Sequence, residues 1–508
     1  MKGIFKAFYS KEKARLVLIT TYIFGLAAHG FGLMNVEFSH DSLYNFMDVG
    51  TEWQLSLGRF LQPVYLRLRD SISAPWLVGL IAFFFIACAA YLVIDLFGVE
   101  NRLSVIFICA IMVANATVTS NCSTYIPWFD IFMLSLLLSC LAAWVLFRFK
   151  YGFIASGVLI FLSMGFYQAY ITTFVTLVML YSLLNLAKTT PLKQTIFGAL
   201  KGVGAAAIGG AVYAVAVKVV LALNPSISLW DGENGLASTA NFSGVSIVEL
   251  VNRTYRFFIS YFGFSNRIQE LSIIAANLLL IAVAVALLFF LTYKNKQKPI
   301  KYVLEVVILL LLPLGANAIY IISKGWVHDL MIFSFVFVLI FGIVVFEECF
   351  RGKPKSKLSS VSKAVVVLCC LGIVFNNIIS SNQLYLKKKL VYDSTMSMVN
   401  RVIYSIEDTE NYCPLETPVI FVGSLDSNPL VQSNYSEFNA DTYFGSIFGS
   451  SVTYSGTMET FMKYVMNESI YIEDFKSGSD LSYDDMPAFP EKGYCAQKDG
   501  KVIVKLSN

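Results

Sequence analysis

The sequence contains few charged residues and almost no histidine. Only 14% of its 508 residues are charged, against 56% that are hydrophobic, and this balance excludes an ordinary cytosolic enzyme. Histidine occurs at His29, His40 and His328 alone, too few for a histidine-ligated metal centre to be favoured. The net charge of +4 is too small to indicate nucleic-acid binding. We therefore expect an integral membrane protein with no nucleic-acid partner.

Motifs that bind nucleotides or build hydrolase sites are also missing. The chain has no G-x-x-x-x-G-K, G-x-G-x-x-G or D-x-D stretch, which disfavours nucleotide substrates, and it has no nucleophile elbow. Its nine cysteines form no Cys-x-x-Cys pair or Cys/His cluster, so the sequence predicts no metal site. The requirement for a divalent metal cofactor is left open, without support from the sequence. Cys413 and Cys495 lie in the polar C-terminal region, and they are candidates for a disulfide if that region faces an oxidising compartment.

Long apolar runs fill the first three quarters of the chain. A run of about 18 or more apolar residues is long enough to cross roughly 30 Å of hydrocarbon as a helix. The runs predict about eleven transmembrane helices, at 16–34, 76–97, 103–120, 126–147, 152–166, 169–187, 199–223, 271–293, 302–322, 329–347 and 363–380. Between 152 and 187 only GFYQAY interrupts the apolar character, and one long tilted helix is the alternative to two. The first run lacks a cleavage pattern and is expected to remain as a membrane helix.

Lysine and arginine are unevenly distributed between the loops. They cluster before the first run and in alternate loops, which predicts a cytoplasmic N-terminus and, with an odd number of spans, an extracytoplasmic C-terminus. We therefore predict an all-α polytopic membrane region over 1–380 with outer loops 35–75 and 224–270. The tail, 381–508, is predicted to be a small extracytoplasmic α/β domain with a helix over 384–407 and strands over 417–424 and 501–507.

The first outer loop, 35–75, has apolar residues at helical spacing. This pattern predicts one or two amphipathic helices lying on the membrane surface, with Arg67 and Arg69 contacting lipid head groups.

The same loop collects carboxylates at the exit of the first apolar run. When a sugar is transferred to a hydroxyl, the acceptor oxygen must lose a proton, and one well-placed carboxylate can serve as the general base. Asp41 is the first choice for this base. A purely structural alternative is that Asp41 or Ser39 caps a surface helix. His40 can tune the protonation of Asp41 or reach a phosphate.

Other polar residues are predicted at the same face. Asp130 lies just inside the fourth apolar run, where it either binds substrate or starts a helix. Tyr167 and Gln168, where two helices meet, either bind a sugar or pack between helices. Trp230 and Asp231, on the second outer loop, have the aromatic and carboxylate character that suits an acceptor sugar.

A leaving phosphate requires cationic or donor groups. Arg59, in SLGRFLQP, is the first candidate, followed by Lys324 and His328 in SKGWVHDL.

These stretches occur in a recognisable order. The acidic first loop with GRFLQP, then PWFD, YQAY and the α/β tail, resembles the serotype-converting O-antigen glucosyltransferases, which belong to the GT-C class of polytopic glycosyltransferases. The resemblance places Asp41, Arg59, Asp130 and Gln168 at the acidic, Gly-Arg, helix-four and Tyr-Gln positions of that family. The family often has two adjacent carboxylates where this chain has His40–Asp41, which leaves open whether Glu37 shares or takes the role of base.

The resemblance implies a specific reaction in the bacterial inner membrane. Undecaprenyl-phosphate glucose would be the donor, supplied by a companion synthase and a flippase, and lipid-linked O-antigen of lipopolysaccharide would be the acceptor. Transfer on the periplasmic face would invert the anomeric carbon. The alternatives are a flippase or transporter of lipid-linked sugars, and an O-antigen polymerase or ligase.

Overall fold

The computed structural model describes residues 11–35, 37–47, 49–231, 246–263, 271–352, 356–429, 455–474 and 483–508. Helices dominate it. The first ten are α1 (Lys11–Met34), α2 (His40–Asn45), α3 (Thr51–Ser56), α4 (Gln62–Arg69), α5 (Pro75–Phe97), α6 (Arg102–Val113), α7 (Ala116–Ser123), α8 (Phe129–Arg148), α9 (Gly152–Phe166) and α10 (Ile171–Ala187). They are followed by α11 (Leu192–Leu223), α12 (Ile247–Phe262), α13 (Leu271–Lys294), α14 (Pro299–Ala316), α15 (Ala318–Ile322), α16 (Ser334–Phe350), α17 (Lys357–Glu407) and α18 (Ser455–Phe461).

A helix overlaps each apolar run that was predicted to cross the membrane. Among the described residues, eight helices are long and apolar enough to span, and α6 with α7, bent by 41°, adds a ninth if the pair is one span. α9 is apolar but shorter. The chain is therefore a helical, multi-pass membrane protein, and the number eleven stays a prediction.

Two interruptions of these helices have local causes. Asn115 separates α6 from α7 because its side chain accepts a hydrogen bond from the Val118 N–H, as a helix cap does. Tyr167 separates α9 from α10 because its backbone is extended, and a 3₁₀ turn, Gln168–Tyr170, follows it. Two helices over 152–187, rather than one tilted helix, were correctly predicted.

Serine hydrogen bonds hold α8 against α9. The Ser163 hydroxyl lies 2.9 Å from the hydroxyls of both Ser135 and Ser139, and all three residues are buried. Ser135 also donates to the carbonyl of Tyr167 at 3.1 Å. Small residues let helix backbones approach closely, and their hydroxyls bond across the contact. The start of α8 and the end of α9 are therefore fixed relative to each other.

One end of the bundle, which we term the basic end, is closed by cationic side chains. Arg148 pairs with Asp95 at 2.9 Å and Lys188 with Glu348 at 3.0 Å. Lys13 donates to the carbonyl of Val99 at 3.0 Å. These contacts join the loops at the start of α1 and at the ends of α5, α8, α10 and α16, and the opposite end, where residues 35–73 lie, is termed the site end.

Residues 35–73 form three short helices rather than the one or two that were predicted. α3 and α4 are separated because Gly58 takes a left-handed φ of 72° after α3 and Pro63 lies in the first turn of α4. α2 ends at Asn45, and α3 begins after its N-cap residue, Gly50. The helical spacing of apolar residues continues across both breaks, so this spacing by itself does not reveal them.

α17 is a single helix of 51 residues. It joins the predicted last span, 363–380, to the predicted tail helix, 384–407, so the predicted domain boundary at residue 380 falls inside a continuous helix.

The C-terminal unit, residues 408–429, 455–474 and 483–508, contains a small mixed sheet. Its strands are β1 (Val419–Val422), β2 (Cys495–Lys498) and β3 (Lys501–Lys505), in the order β1-β3-β2. β1 runs parallel to β3, with Val419 opposite Val502, and β2 runs antiparallel to β3. The strands predicted over 417–424 and 501–507 are confirmed, whereas β2 was not predicted because CAQK lacks an apolar run.

The first loop packs against this unit. Phe38 and Leu43 belong to the same apolar cluster as Val399 of α17 and Phe461 of α18. Phe46 contacts Tyr464 edge-on, with ring centroids 5.6 Å apart. The site end is therefore covered by the C-terminal unit on the side of α2.

Candidate active site

α2 positions Asp41 without using it as a cap. Ser39 is the N-cap and forms a capping box with Ser42, and the Ser39 hydroxyl also donates to the carbonyl of Thr124 at 3.0 Å. Asp41 lies in the first turn, half-buried. Because Ser39 caps the helix, the Asp41 carboxylate is not required for that purpose. The side chain of His40 lies outside the described residues.

Arg59 lies on the tight turn between α3 and α4. Its N–H donates to the carbonyl of Gln54 at 2.9 Å. Its guanidinium lies over the rings of Tyr167 and Phe132, 4.9 and 5.8 Å from their centroids, and its Nε atom is enclosed. Burial lowers the pKa of Arg59, and nearby Tyr167, Tyr213, Tyr125 and Asp41 oppose that change. An arginine remains charged under these conditions.

Gln168 and Tyr213 hold the Arg59 turn in place. The Gln168 Nε2 donates to the carbonyl of Leu57 and to the Tyr213 hydroxyl, both at 2.7 Å, and Tyr213 donates to the carbonyl of Gly58 at 3.1 Å. Behind the turn, the Leu61 N–H donates to the carbonyl of Gly165 at 3.1 Å. A Cβ atom at Gly165 would lie 2.8 Å from a Leu61 methyl group, so glycine permits this approach. The structure therefore places Gln168 as a support for Arg59.

Asp41 lies on α2 and Arg59 on the turn after α3, yet the Asp41 carboxylate is among the groups that oppose the lowering of the Arg59 pKa. Tyr125 is part of the same group because it contributes electrostatically to the pKa shifts of both Arg59 and Tyr167. His328 extends the group, since its ring lies 6.5 Å from the Tyr125 ring and 4.2 Å from the Trp326 ring. Asp41, the Arg59 cation and the aromatic rings beneath that cation thus lie at the site end. Lys324, half-buried, lies in a nearby turn with a left-handed φ of 54°.

Asp130 is occupied by contacts within the protein. Its Oδ2 lies 3.0 Å from the Nε of Arg69 and accepts a hydrogen bond from the Tyr65 hydroxyl at 2.9 Å. Arg69 also donates to the carbonyl of Pro127 at 3.0 Å, and its side chain is only 7% exposed. The lipid contact predicted for Arg69 is therefore wrong, because this side chain turns inward to pair with Asp130. Arg67 is exposed.

Trp230 packs onto the first loop. Its N–H donates to the carbonyl of Ser56 at 3.0 Å, and its ring meets that of Trp53 edge-on at 5.2 Å. Both indole rings are partly exposed, and the adjacent Asp231 is exposed. Within the predicted outer loop 224–270, residues 232–245 and 264–270 lie outside the described residues, and Ile247–Phe262 form α12.

Glu37 lies on the other side of α2, against α17. It is 9% exposed, with an Oε1 atom that has no hydrogen-bond partner in the described part of the chain. Burial raises the pKa of Glu37 to about 7, Lys388 and Lys389 oppose this rise, and Asp393 adds to it. Lys388 is also buried and donates to the carbonyl of Ser123.

Cys413 and Cys495 are free thiols in this structure, so the predicted disulfide is not formed here. The Cys495 sulfur instead lies 3.5 Å from both the Thr409 hydroxyl and the Ser405 carbonyl. Within the described ranges, no group of three or more histidine, cysteine, aspartate and glutamate side chains comes together to hold a metal ion.

Two residues of the group were missed from the sequence. Tyr125 lies in the stretch STYIPWFD, but a tyrosine near a helix end is common at membrane interfaces. Tyr213 lies inside α11, far from any polar stretch, and only the packing of α11 against the Arg59 turn reveals its role.

The fold and the site together define a multi-pass membrane protein whose polar site lies at one end of its helices. The family model Glucosyl transferase GtrII matches residues 30–346, and the chain belongs to that family. The matched residues begin before Asp41 and end before α17. No curated protein and no solved structure matches the chain. The resemblance found in the sequence is thus confirmed, and the protein is a membrane glucosyltransferase.

Proposed function

We propose that this protein transfers a glucosyl group from a polyprenyl-phosphate sugar to lipid-linked O-antigen, in the manner of a GT-C enzyme. The reaction takes place on the periplasmic face of the bacterial inner membrane, with the N-terminus in the cytoplasm. A companion synthase and a flippase supply undecaprenyl-phosphate glucose, and the product alters the serotype of the lipopolysaccharide.

The proposed transfer is a single displacement. Asp41 accepts the proton of the acceptor hydroxyl while the oxygen of that hydroxyl forms a bond to the anomeric carbon of glucose. The bond from that carbon to the phosphate oxygen breaks, and polyprenyl phosphate leaves with the electron pair. Arg59 offsets the charge that develops on this phosphate. Attack opposite the leaving group inverts the configuration at the anomeric carbon.

The observation that carries this proposal is that Arg59 lies over the rings of Tyr167 and Phe132, while the Asp41 carboxylate is among the groups that oppose the lowering of the Arg59 pKa. The base acts on the acceptor at one face of the sugar while the phosphate leaves from the opposite face, so both groups must reach the same sugar. Asp41 on α2 and Arg59 on the turn after α3 both lie at the site end. Glu37 is a weaker candidate because it faces Lys388 and the C-terminal unit.

The sidedness rests on the distribution of charge. Cationic residues close the basic end, and positive loops are typical of the cytoplasmic side. The site end then faces the periplasm, where Trp53 and Trp230 offer exposed aromatic faces to an acceptor sugar.

Asp41→Asn tests the assignment of the base. Removing a general base lowers the transfer rate by about 10²–10⁴-fold, and because the amide keeps the shape of the carboxylate, we expect normal expression and an unchanged melting temperature. The measurement is the transfer of labelled glucose from the lipid donor to purified lipid-linked O-antigen.

Two further variants complete the comparison. Glu52→Gln removes an exposed carboxylate of the same loop and should keep transfer within about twofold of the wild-type rate. Near-normal transfer by Asp41→Asn together with a large loss in Glu37→Gln would move the base to Glu37.

A further inference from the structure

Gln54 is a polar residue in the place of an apolar one. It is the buried residue of α3, with no exposed surface, whereas Thr51, Glu52 and Trp53 of the same helix are exposed. A short surface helix normally turns an apolar side chain inward. Burying a primary amide there requires a different reason.

Neither polar atom of this amide is used within the described part of the protein. The Gln54 Oε1 and Nε2 atoms are both enclosed and have no hydrogen-bond partner among the described residues. An unsatisfied buried polar atom costs about 1–3 kcal/mol, so two on one side chain are a substantial burden. Gln62, also buried, differs because its Nε2 donates to the carbonyl of Phe166 at 2.7 Å, which leaves only its Oε1 without a partner among the described residues.

The position of Gln54 connects it to the leaving-group site. Its carbonyl accepts the N–H of Arg59, so both side chains extend from one compact turn. The Arg59 Nε is likewise enclosed without a hydrogen-bond partner among the described residues. Trp53, the preceding residue, meets Trp230 at the surface. The turn therefore carries an unpaired amide and an unpaired donor of a guanidinium on the protein's inner side.

We propose that Gln54 binds the sugar of the donor and determines which sugar is transferred. Its Oε1 accepts from one ring hydroxyl and its Nε2 donates to the neighbouring hydroxyl, a match that a primary amide makes with vicinal hydroxyl groups. Arg59 binds the phosphate of the same donor. This inference rests on the proposed function, because it assumes that a phosphate-linked sugar occupies the site.

Binding of two soluble probes to the purified full-length protein tests the proposal. Farnesyl-phosphate glucose carries both the sugar and the phosphate, and farnesyl phosphate carries the phosphate alone. We expect Gln54→Met, which keeps the length of the side chain, to weaken binding of the first probe by about tenfold or more and of the second by less than about threefold.

The stability of the same variants provides an independent measurement. A protein that leaves the Gln54 amide unused should melt at a higher temperature when methionine replaces it, because two unsatisfied atoms are removed. Gln62→Met is the matched control, and it should melt at a lower temperature because it loses the hydrogen bond to Phe166.

The other outcomes separate a failure of the Gln54 role from a failure of the proposed donor. If wild-type protein binds farnesyl-phosphate glucose and Gln54→Met binds it equally well, the role of Gln54 is refuted while the proposed donor stands. Equal weakening of both probes, or a lower melting temperature for Gln54→Met, identifies a structural residue and also refutes it. If the wild type binds neither probe, the proposed donor is wrong, and the inference is wrong with it.

Discussion

Glu37 and Lys388 place a carboxylate and an ammonium group in an enclosed region between the first loop and α17. Both side chains are less than a tenth exposed. Each charge is costly to bury alone, and each makes the other less so. Two lysines of the run at 387–389 have local contacts: Lys388 is buried beside Glu37, and Lys389 pairs with Asp393.

The stability of the protein should depend on pH through Glu37. The pKa of this carboxyl is raised from 4.5 to about 7 by burial, so the folded protein keeps a proton that the unfolded chain releases. The stabilisation by this proton is complete below pH 4.5 and is lost as the pH rises towards 7. Glu37→Gln is neutral at every pH, and its stability relative to the wild type should rise between pH 5 and pH 8.

Thermal unfolding of both proteins in detergent across this range measures the difference. An advantage that does not change with pH would mean that Glu37 stays ionised beside Lys388 throughout.

Single residues of the site differ in how well the sequence predicted them. A run of carboxylates in an otherwise apolar chain led to the selection of Asp41 as the base, which stays a prediction. The structural alternative, a cap formed by Asp41 or Ser39, is met by Ser39. Arg69 was misjudged, since an arginine on a surface helix has the same pattern whether it faces lipid or protein. Its partner, Asp130, is more than 60 residues away in the chain, and local spacing contains no information about that distance.

At the level of elements, α4 depends on one buried ion pair. Arg69 and Asp130 attach this helix to the start of α8, with side chains that are 7% and 0% exposed. Removing one partner of a buried pair costs about 3–5 kcal/mol because the other charge is left unpaired, whereas replacing both is often nearly neutral.

We therefore expect Asp130→Asn to lower the melting temperature and Arg69→Met with Asp130→Asn to recover most of the loss. A double-mutant cycle of unfolding free energies gives the coupling. Normal stability with abolished transfer in Asp130→Asn would instead support the sugar-binding role that the sequence suggested.

The elements themselves were predicted in type more reliably than in extent. Apolar length identified a helix in every predicted run, because hydrocarbon requires satisfied backbone groups. The union of two predicted helices into α17 was missed, since polar residues after 380 indicate only that the chain leaves the membrane. They do not indicate that the helix ends there. The same limitation applies to α3, where Gly58 ends a helix whose apolar spacing continues.

For the molecule as a whole, the labelling of Cys413 shows on which side of the membrane the C-terminal unit lies. All nine cysteines are described, and Cys413 is the exposed one. If the C-terminal unit faces the periplasm, a membrane-impermeant maleimide should label Cys413 in intact spheroplasts, and Cys413→Ser should remove the label.

Labelling only after lysis would place this unit in the cytoplasm and contradict the proposed orientation. Labelling of intact spheroplasts only after addition of a reductant would keep the orientation and show that Cys413 forms a disulfide. Labelling of Cys495→Ser without reductant would then identify Cys495 as its partner.

The length of α17 has a consequence for the arrangement of the molecule. At about 1.5 Å per residue, its 51 residues measure roughly 77 Å, more than twice the thickness of about 30 Å of hydrocarbon. The length of this helix thus sets the distance of the C-terminal unit from the bilayer. Because each residue also turns the helix by about 100°, the number of residues also sets the rotation of that unit about the helix axis, and hence its contact with Phe38 and Leu43.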